Sequence, residues 1–360
     1  MPGQEFDVAI HDVAFGGNGV ARLPDGRAAF VPGVITGEKA RIIITRERNR
    51  FVEARLLEVL EPSPQRVPPP CPYYGRCGGC TYQHIAYAEQ LAIKRGQVEQ
   101  VLRRIGGFAS VPEVAVVASP QEYGFRNRVT IHAKGGRAGF FARQSHDLVE
   151  IEQCLLAAPA VNEKLPRLRA EIRAGKLEDG AYVVSQRARS FFEQTNDAVA
   201  AALVERARQV VGDDCEQIVD AYCGAGFFAR ALVGHAPRII GIEINEKAIA
   251  KARSEAGETE RYLAADVAQV LGEILAEGGV ETAAKTLVVL DPPAAGLSAR
   301  VVDHLLAAQP ARLLYVSCHP ATLARDLKGL AAHYMLDSVT AFDMFPQTAE
   351  IEVMVTLRRK

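Results

Sequence analysis

The chain has 360 residues, 48% of them apolar and 24% charged, with a formal net charge of −1 at pH 7. That is enough apolar content for two or three packed domains and excludes a disordered or fibrous chain. No apolar run approaches the ~18 residues of a membrane span, and Met1-Pro2-Gly3-Gln4-Glu5 lacks the basic-then-apolar layout of a signal peptide, so a cytoplasmic protein with no membrane partner is expected.

The first sixty residues hold eight basic and eight acidic side chains and alternate in short bursts suited to strands: Ala28–Val31, Ala40–Ile44 and Phe51–Val59. Glycine-rich turns separate them, at Gly16-Gly17-Asn18-Gly19, Pro24-Asp25-Gly26 and Pro32-Gly33. This spacing predicts a small β-barrel of about five strands, the size of an OB-like module, over residues 1–62. A proline-rich linker, Glu61-Pro62-Ser63-Pro64 through Pro68-Pro69-Pro70, closes it.

A central domain over 63–194 opens with three cysteines in ten residues, Cys71, Cys77 and Cys80. Helical spacing follows from Ala86 to Ile105 and stops at Gly106-Gly107. From residue 111 to about 190 the pattern reads as mixed short strands and helices. Residues 66–145 carry eleven basic against four acidic side chains, a local +7 that fits a polyanion.

From about residue 195 strands and helices alternate regularly. Strands are predicted at Gln217–Ala221, Arg238–Glu243, Thr286–Leu290 and Leu313–Ser317, with helices at Phe227–His235, Glu246–Ala256, Ala299–Ala308 and Thr322–His333. The pattern is that of a doubly wound parallel sheet over 195–360. Leu336–Phe342 and Ile351–Leu357 then form two strands with no helix between them. An antiparallel pair at that position characterises S-adenosyl-L-methionine (AdoMet)-dependent methyltransferases rather than nicotinamide enzymes.

Five motifs carry chemistry. Asp220-Ala221-Tyr222-Cys223-Gly224-Ala225-Gly226 links a strand to a helix, and its glycines let the backbone approach a ligand. Glu243, seventeen residues beyond Gly226, ends the next strand where it can accept from ribose hydroxyls. Asp291-Pro292-Pro293 ends a further strand at the ligand-lining edge. Ser317-Cys318-His319-Pro320 puts a thiol at a helix start, where the peptide dipoles favour its thiolate. Cys71, Cys77 and Cys80 with Cys154 as the nearest fourth thiol suit a [4Fe-4S] cluster or zinc, and the x5/x2 spacing favours iron–sulfur. Phe342-Asp343-Met344-Phe345-Pro346 leads to Glu350 and Glu352, which alternation sets on one strand face, either able to serve as a general base.

Together these residues resemble the RNA 5-methyluridine (uracil-C5) methyltransferase family over nearly the whole length. The opening barrel is similar to the RNA-binding TRAM domain. Cys71-Pro72-Tyr73, Cys77-Gly78-Gly79-Cys80 and Gln83-His84 resemble the family's iron–sulfur signature, with Cys154 at its fourth ligand. Phe192-Glu193-Gln194-Thr195-Asn196 is similar to the segment whose Gln contacts AdoMet, and Val316-Ser317-Cys318 and Met344-Phe345-Pro346 to Glu352 resemble the nucleophile and base motifs.

The resemblance implies a class I AdoMet-dependent methyltransferase fold with a seven-stranded Rossmann-like sheet, an OB-like TRAM barrel and a small α+β domain bearing a [4Fe-4S] site. It implies Cys318 as nucleophile toward uridine C6 and Glu352 as base. It implies AdoMet contacts from Gln194, Tyr222, Gly224, Gly226, Glu243, Asp266 and Asp291, and cluster ligation by Cys71, Cys77, Cys80 and Cys154. The implied partner is RNA, with 23S ribosomal RNA favoured over transfer RNA and no obligate protein partner. Departures stand at Phe227 (Asn in the family), Ala294 (Arg), His319 (Asn) and Glu350 (His). Two rivals follow: a catalytically weak RNA-binding or folding factor, for which those departures would be the signature, and a radical-AdoMet enzyme, which the x5/x2 spacing and the separate AdoMet fold disfavour.

Overall fold

A computed structural model describes residues 2–187, 194–277 and 279–360. The chain forms two compact units: residues 2–97, 120–187 and 345–350 make the first, and 98–119, 194–344 and 351–360 the second. Among the described residues no helix is long and apolar enough to cross a membrane.

The first unit begins with β1 (Glu5–Val13), β2 (Asn18–Arg22), β3 (Ala28–Pro32), β4 (Lys39–Glu47) and β5 (Phe51–Glu61), closed into a barrel in the order β1-β2-β3-β5-β4. Burial alternates along β3 and the first part of β4, as a strand with one face inward requires. The inward set, among them Ile10, Val31, Ile42, Ile44 and Val52, fills the barrel. Closure removes the exposed edges that a five-strand sheet would otherwise present. At the barrel exit Glu38 is fully buried and held by Arg66, whose Nη2 donates to Oε2 at 2.7 Å.

Helix α1 (Tyr87–Arg104) follows the cysteine segment, and its first part belongs to this unit. A second sheet is built from β7 (Arg128–Lys134), β8 (Arg137–Phe141), β9 (Leu148–Glu150) and β10 (Gly180–Ser185), all antiparallel, in the order β10-β7-β8-β9. Its inner face (Val129, Ile131, Ala133, Ala138, Val184) packs with Val161, Leu165 and Ile172 of α2 (Pro159–Asn162) and α3 (Leu165–Arg173).

The second unit is an eight-stranded sheet. In chain order its strands are β6 (Val114–Val117), β11 (Gln217–Ala221), β12 (Arg238–Glu243), β13 (Glu260–Ala264), β14 (Thr286–Leu290), β15 (Arg312–Ser317), β16 (Tyr334–Phe342) and β17 (Glu352–Arg359). Their order is β13-β12-β11-β14-β15-β17-β16-β6. The five strands β11 to β15 are parallel, and β17 inserts antiparallel between β15 and β16. Helices α4 (Asp197–Val210), α5 (Phe227–Ala231), α6 (Glu246–Ser254), α7 (Val267–Ala276), α8 (Gly279–Ala283), α9 (Ala299–Ala308) and α10 (Pro320–Leu330) connect them. β11 and β14 are buried along their full length, as strands covered on both faces are.

The seven strands of the expected sheet are present, and β6 adds an eighth, parallel to β16. Neither β6 nor β13 stands out in the sequence, since both are short strands at the sheet edges. α5 ends at Ala231 rather than running to His235, because the chain turns through Gly234 at φ 88°.

Candidate functional site

The carboxyl ends of the parallel strands of the second unit collect the sequence-selected residues. Leaving β11, the chain turns sharply: Tyr222 adopts φ 70°, followed by Gly224 at 56° and Gly226 at 90°. A non-glycine residue in that region costs roughly 1–3 kcal/mol, a strain that concentrates at functional turns. Gly226 has a second reason to be glycine, since a Cβ there would lie 2.8 Å from the Tyr262 hydroxyl. Glu243 ends β12 and reaches back into this turn: Oε2 accepts from Gly224 N at 3.3 Å and Oε1 from Asn245 N at 2.8 Å. Asp266 caps α7 through Ala268 N at 2.9 Å. Gln194 is buried, while Phe192 and Glu193 of the same motif lie outside the described residues.

Strand order brings Asp291, Cys318 and Glu352 together. Asp291 follows β14 and Cys318 follows β15, its immediate neighbour. β17 lies on the other side of β15, and its register pairs Ser317 with Val353. The residues next in line at that end are Cys318, just after β15, and Glu352, the first residue of β17. Cys318 is exposed, whereas Glu352 is only 4% exposed.

The carboxyls here are strongly perturbed. Burial holds Asp291 at about 7 instead of 3.8. Burial also lifts Glu352 well above the ordinary glutamate value, and the neighbouring Asp291 charge lifts it further. Asp220, at the end of β11, is raised to about 8 by burial, with Asp291 and Glu243 adding to the effect. Its Oδ2 accepts from Ala229 N at 2.7 Å, while Oδ1 is buried with no hydrogen-bond partner. Asp220 belongs to the glycine motif, where residue type and spacing assign it no role of its own. Only strand adjacency reveals that it shares one electrostatic environment with Asp291.

The four departures from the resemblance sit in ordinary local surroundings. His319 caps α10, its Nδ1 accepting from Thr322 N at 3.3 Å. Ala294 offers its carbonyl to Thr322 Oγ1 at 3.0 Å, and Arg325 donates to the Ala295 carbonyl at 2.8 Å. Phe227 packs edge-on against Phe228, ring centroids 4.9 Å apart. Glu350 is exposed.

In the first unit Cys71, Cys77, Cys80 and Cys154 all line one cavity of about 260 Å³, with Gln83, Arg126, Phe140 and Ile151. Burial raises the thiols of Cys77 and Cys154 and pushes Cys80 up to about 12. The four also act on one another: Cys154 raises Cys77 and Cys80, and Cys71 raises Cys77 and Cys154. Arg126 pulls the other way on Cys77, Cys80 and Cys154, and its Nε is buried with no hydrogen-bond partner. Among the described residues no group of three or more His, Cys, Asp or Glu is arranged to hold a metal ion.

The sheet, five parallel strands finished by a reversed strand pair, and the strained glycine turn define a class I methyltransferase domain. A family model described as tRNA (uracil-5-)-methyltransferase matches residues 176–261 and 274–360, and a TRAM domain model matches residues 1–57. An uncharacterized RNA methyltransferase of Bdellovibrio bacteriovorus is 34% identical, over 99% of this chain and 95% of that one. Another from Gloeobacter violaceus is 30% identical, over 100% and 97%. The crystal structure of the Pyrococcus abyssi tRNA (uracil-54, C5)-methyltransferase with S-adenosyl-L-homocysteine superposes with a TM-score of 0.74 at 26% identity, covering 98% of this chain and 100% of that one. The chain belongs to the RNA (uracil-5-)-methyltransferase family.

Proposed function

We propose that the protein transfers a methyl group from AdoMet to C5 of one uridine in an RNA, with Cys318 as nucleophile and Glu352 as base. The observation that carries this reading is the β14-β15-β17 order, which sets a carboxyl, an exposed thiol and a buried second carboxyl at adjacent strand ends. The Cys318 thiolate adds to uridine C6, and the electron pair released to C5 makes that carbon nucleophilic. AdoMet, when bound, supplies the electrophilic methyl group that C5 attacks. Glu352 then removes the C5 proton, the C5–C6 double bond reforms and the Cys318 thiolate leaves. A carboxylate raised by burial and by Asp291 is a better base than an ordinary glutamate, which supports Glu352 in that role.

The glycine turn Tyr222–Gly226 with Gln194, Glu243, Asp266 and Asp291 would form the AdoMet site. Glu243 supports this assignment, since its carboxylate, which accepts from Gly224 N in the glycine turn, would exchange that bond for ribose hydroxyls. The TRAM barrel and the basic 66–145 segment would contact phosphates and offset the few kcal/mol needed to unstack a uridine.

Cys71, Cys77, Cys80 and Cys154 would hold a [4Fe-4S] cluster. The lining of one cavity by all four cysteines supports that reading, and the x5/x2 spacing favours iron–sulfur over zinc. Arg126, which also lines the cavity and has a buried Nε without a hydrogen-bond partner, would supply positive charge beside an anionic tetrathiolate cluster. A structural role fits, since all four thiols would serve as ligands.

The end-to-end likeness to a transfer-RNA enzyme and the expectation of 23S ribosomal RNA set two substrates to be tested side by side. The protein, purified anaerobically, is incubated with AdoMet and each unmodified transcript, and nucleosides are read by mass spectrometry. 5-Methyluridine in one RNA, absent with Cys318→Ala, supports the reading. No methyl gain in either RNA by a protein that binds AdoMet and RNA would turn it toward the RNA-binding factor.

A further inference from the structure

The β10-β7-β8-β9 sheet of the first unit buries one face against α2 and α3. Its opposite face carries an aromatic cluster that nothing in the proposed chemistry uses. His132 on β7 stacks on Phe141 at the end of β8, ring centroids 4.0 Å apart and planes 23° apart. Phe141 meets His146 edge-on at 5.4 Å and 83°. His132 and Phe141 are half-buried and His146 is exposed.

Local geometry explains why the rings meet. His132 pairs in register with Gly139, which has no side chain, and Phe141 is the diagonal neighbour two residues further along β8. Gly139 is obligatory, because a Cβ there would run into the Val149 carbonyl of β9. The end of β8 is pinned by the cysteine loop: Gly78 N donates to the Phe141 carbonyl at 3.0 Å, and Cys77 forms a bridge with Ala142. Consecutive side chains therefore diverge, Phe140 into the thiol cavity and Phe141 toward the opposite face.

We propose that this face is a stacking platform for an unpaired base of a single-stranded RNA segment. The proposal rests on the RNA-methylating reading above and adds a binding surface to it. His132 and Phe141, on the two central strands of the four-stranded antiparallel sheet, stack on each other, and a base would extend that stack on an outer ring face. The surrounding charge suits a phosphate chain. Alternation along β7 places Arg128 and Lys134 on the same face as His132, and β8 adds Arg137 directly opposite Lys134. Two like charges paired across a ladder repel, and a polyanion would relieve that repulsion. Lys134 Nζ donates to the His146 carbonyl at 3.5 Å, which sets its charge at the rim of the ring cluster. Glu150 on β9 offsets part of the charge through Arg137 at 3.3 Å, and Asp147 lies beside His146. The exposed large apolar side chain on the adjoining strand is Val183, too small to seat a protein partner on its own.

The test uses the full chain and a fluorescein-labelled 20-nucleotide oligouridine, followed by anisotropy at several salt concentrations. The His132→Ala/His146→Ala double variant should bind about 5–150-fold more weakly, the equivalent of one lost base stack at ~1–3 kcal/mol, with an unchanged salt slope. His132→Phe, which keeps a π-face, should retain wild-type affinity. Lys134→Gln/Arg137→Gln should instead flatten the slope of log K against log salt, by about 0.7 for each phosphate that is no longer neutralised. Circular dichroism checks that each variant is folded. Wild-type affinity in the folded alanine variant overturns the platform alone, and so does an affinity loss that His132→Phe shares. Failure of the wild-type protein to bind any RNA overturns the platform and the RNA reading together.

Discussion

Asp220 offers a quantitative test of the electrostatics at the site. It is fully buried, and its carboxyl is raised from 3.8 to about 8 by burial, with Asp291 and Glu243 contributing. Between those two values the folded protein holds a proton that the unfolded chain has released. Stability therefore falls as pH rises through that window, by about 1.4 kcal/mol per pH unit. From pH 5 to pH 8 this one side chain costs roughly 4 kcal/mol, a large part of the ~5–15 kcal/mol that keeps a typical domain folded. Asp220→Asn cannot ionise, and its carboxamide oxygen can still accept from Ala229 N in place of Oδ2. The variant should match the wild-type protein only below about pH 4, already lead it by about 1–2 kcal/mol at pH 5 and become progressively more stable by pH 8. Urea unfolding followed by far-UV circular dichroism at pH 5, 6.5 and 8 measures that difference. A wild-type-to-variant gap that stays constant across the three pH values would refute the assignment of a raised, burial-controlled carboxyl.

Other outcomes follow from the same structure. Asp291→Asn removes the charge that raises Glu352 beyond its burial, so the acidic limb of the kcat/KM–pH profile should move down by about one pH unit; an unmoved limb would break the link between the two carboxyls. Arg66→Ala strands the fully buried Glu38 carboxylate without its ion-pair partner and should cost about 3–5 kcal/mol of barrel stability, read by denaturant midpoint, whereas a loss below about 1 kcal/mol would show that Glu38 finds other partners. Cys77→Ser should lose bound iron and soluble expression together, and a folded, iron-loaded protein would remove Cys77 from the ligand set.

Features written in short stretches of chain were legible beforehand. The glycine turn, the Cys71–Cys80 segment and the β15–α10 junction at Cys318 each sit within about ten residues, so residue type and spacing expose them. Features that depend on strand order were not. The influence of Asp291 on Asp220 and Glu352 arises because β14 lies between β11 and β15, with β17 beyond. The sequence separates these residues by about sixty to seventy positions in each direction, and no local pattern links them. β6 joins the sheet through a parallel pairing with β16, more than two hundred residues away, so its four residues have no hairpin partner to announce them. The His132–Phe141 stack was hidden for a related reason: it requires the β7–β8 register and an unsubstituted Gly139 opposite.

The proposed mechanism turns on a covalent bond between Cys318 and the target uridine, released only after Glu352 takes the C5 proton. Glu352→Gln removes the base but leaves the nucleophile, so methyl transfer should proceed and elimination should stall. With AdoMet and substrate RNA, this variant should give a protein–RNA species that survives a denaturing gel, with the mass of protein, RNA and one methyl group. The Cys318→Ala/Glu352→Gln double variant should give none. A Glu352→Gln protein that binds RNA and AdoMet but never forms that adduct, or methylation by Cys318→Ala alone, would contradict the mechanism.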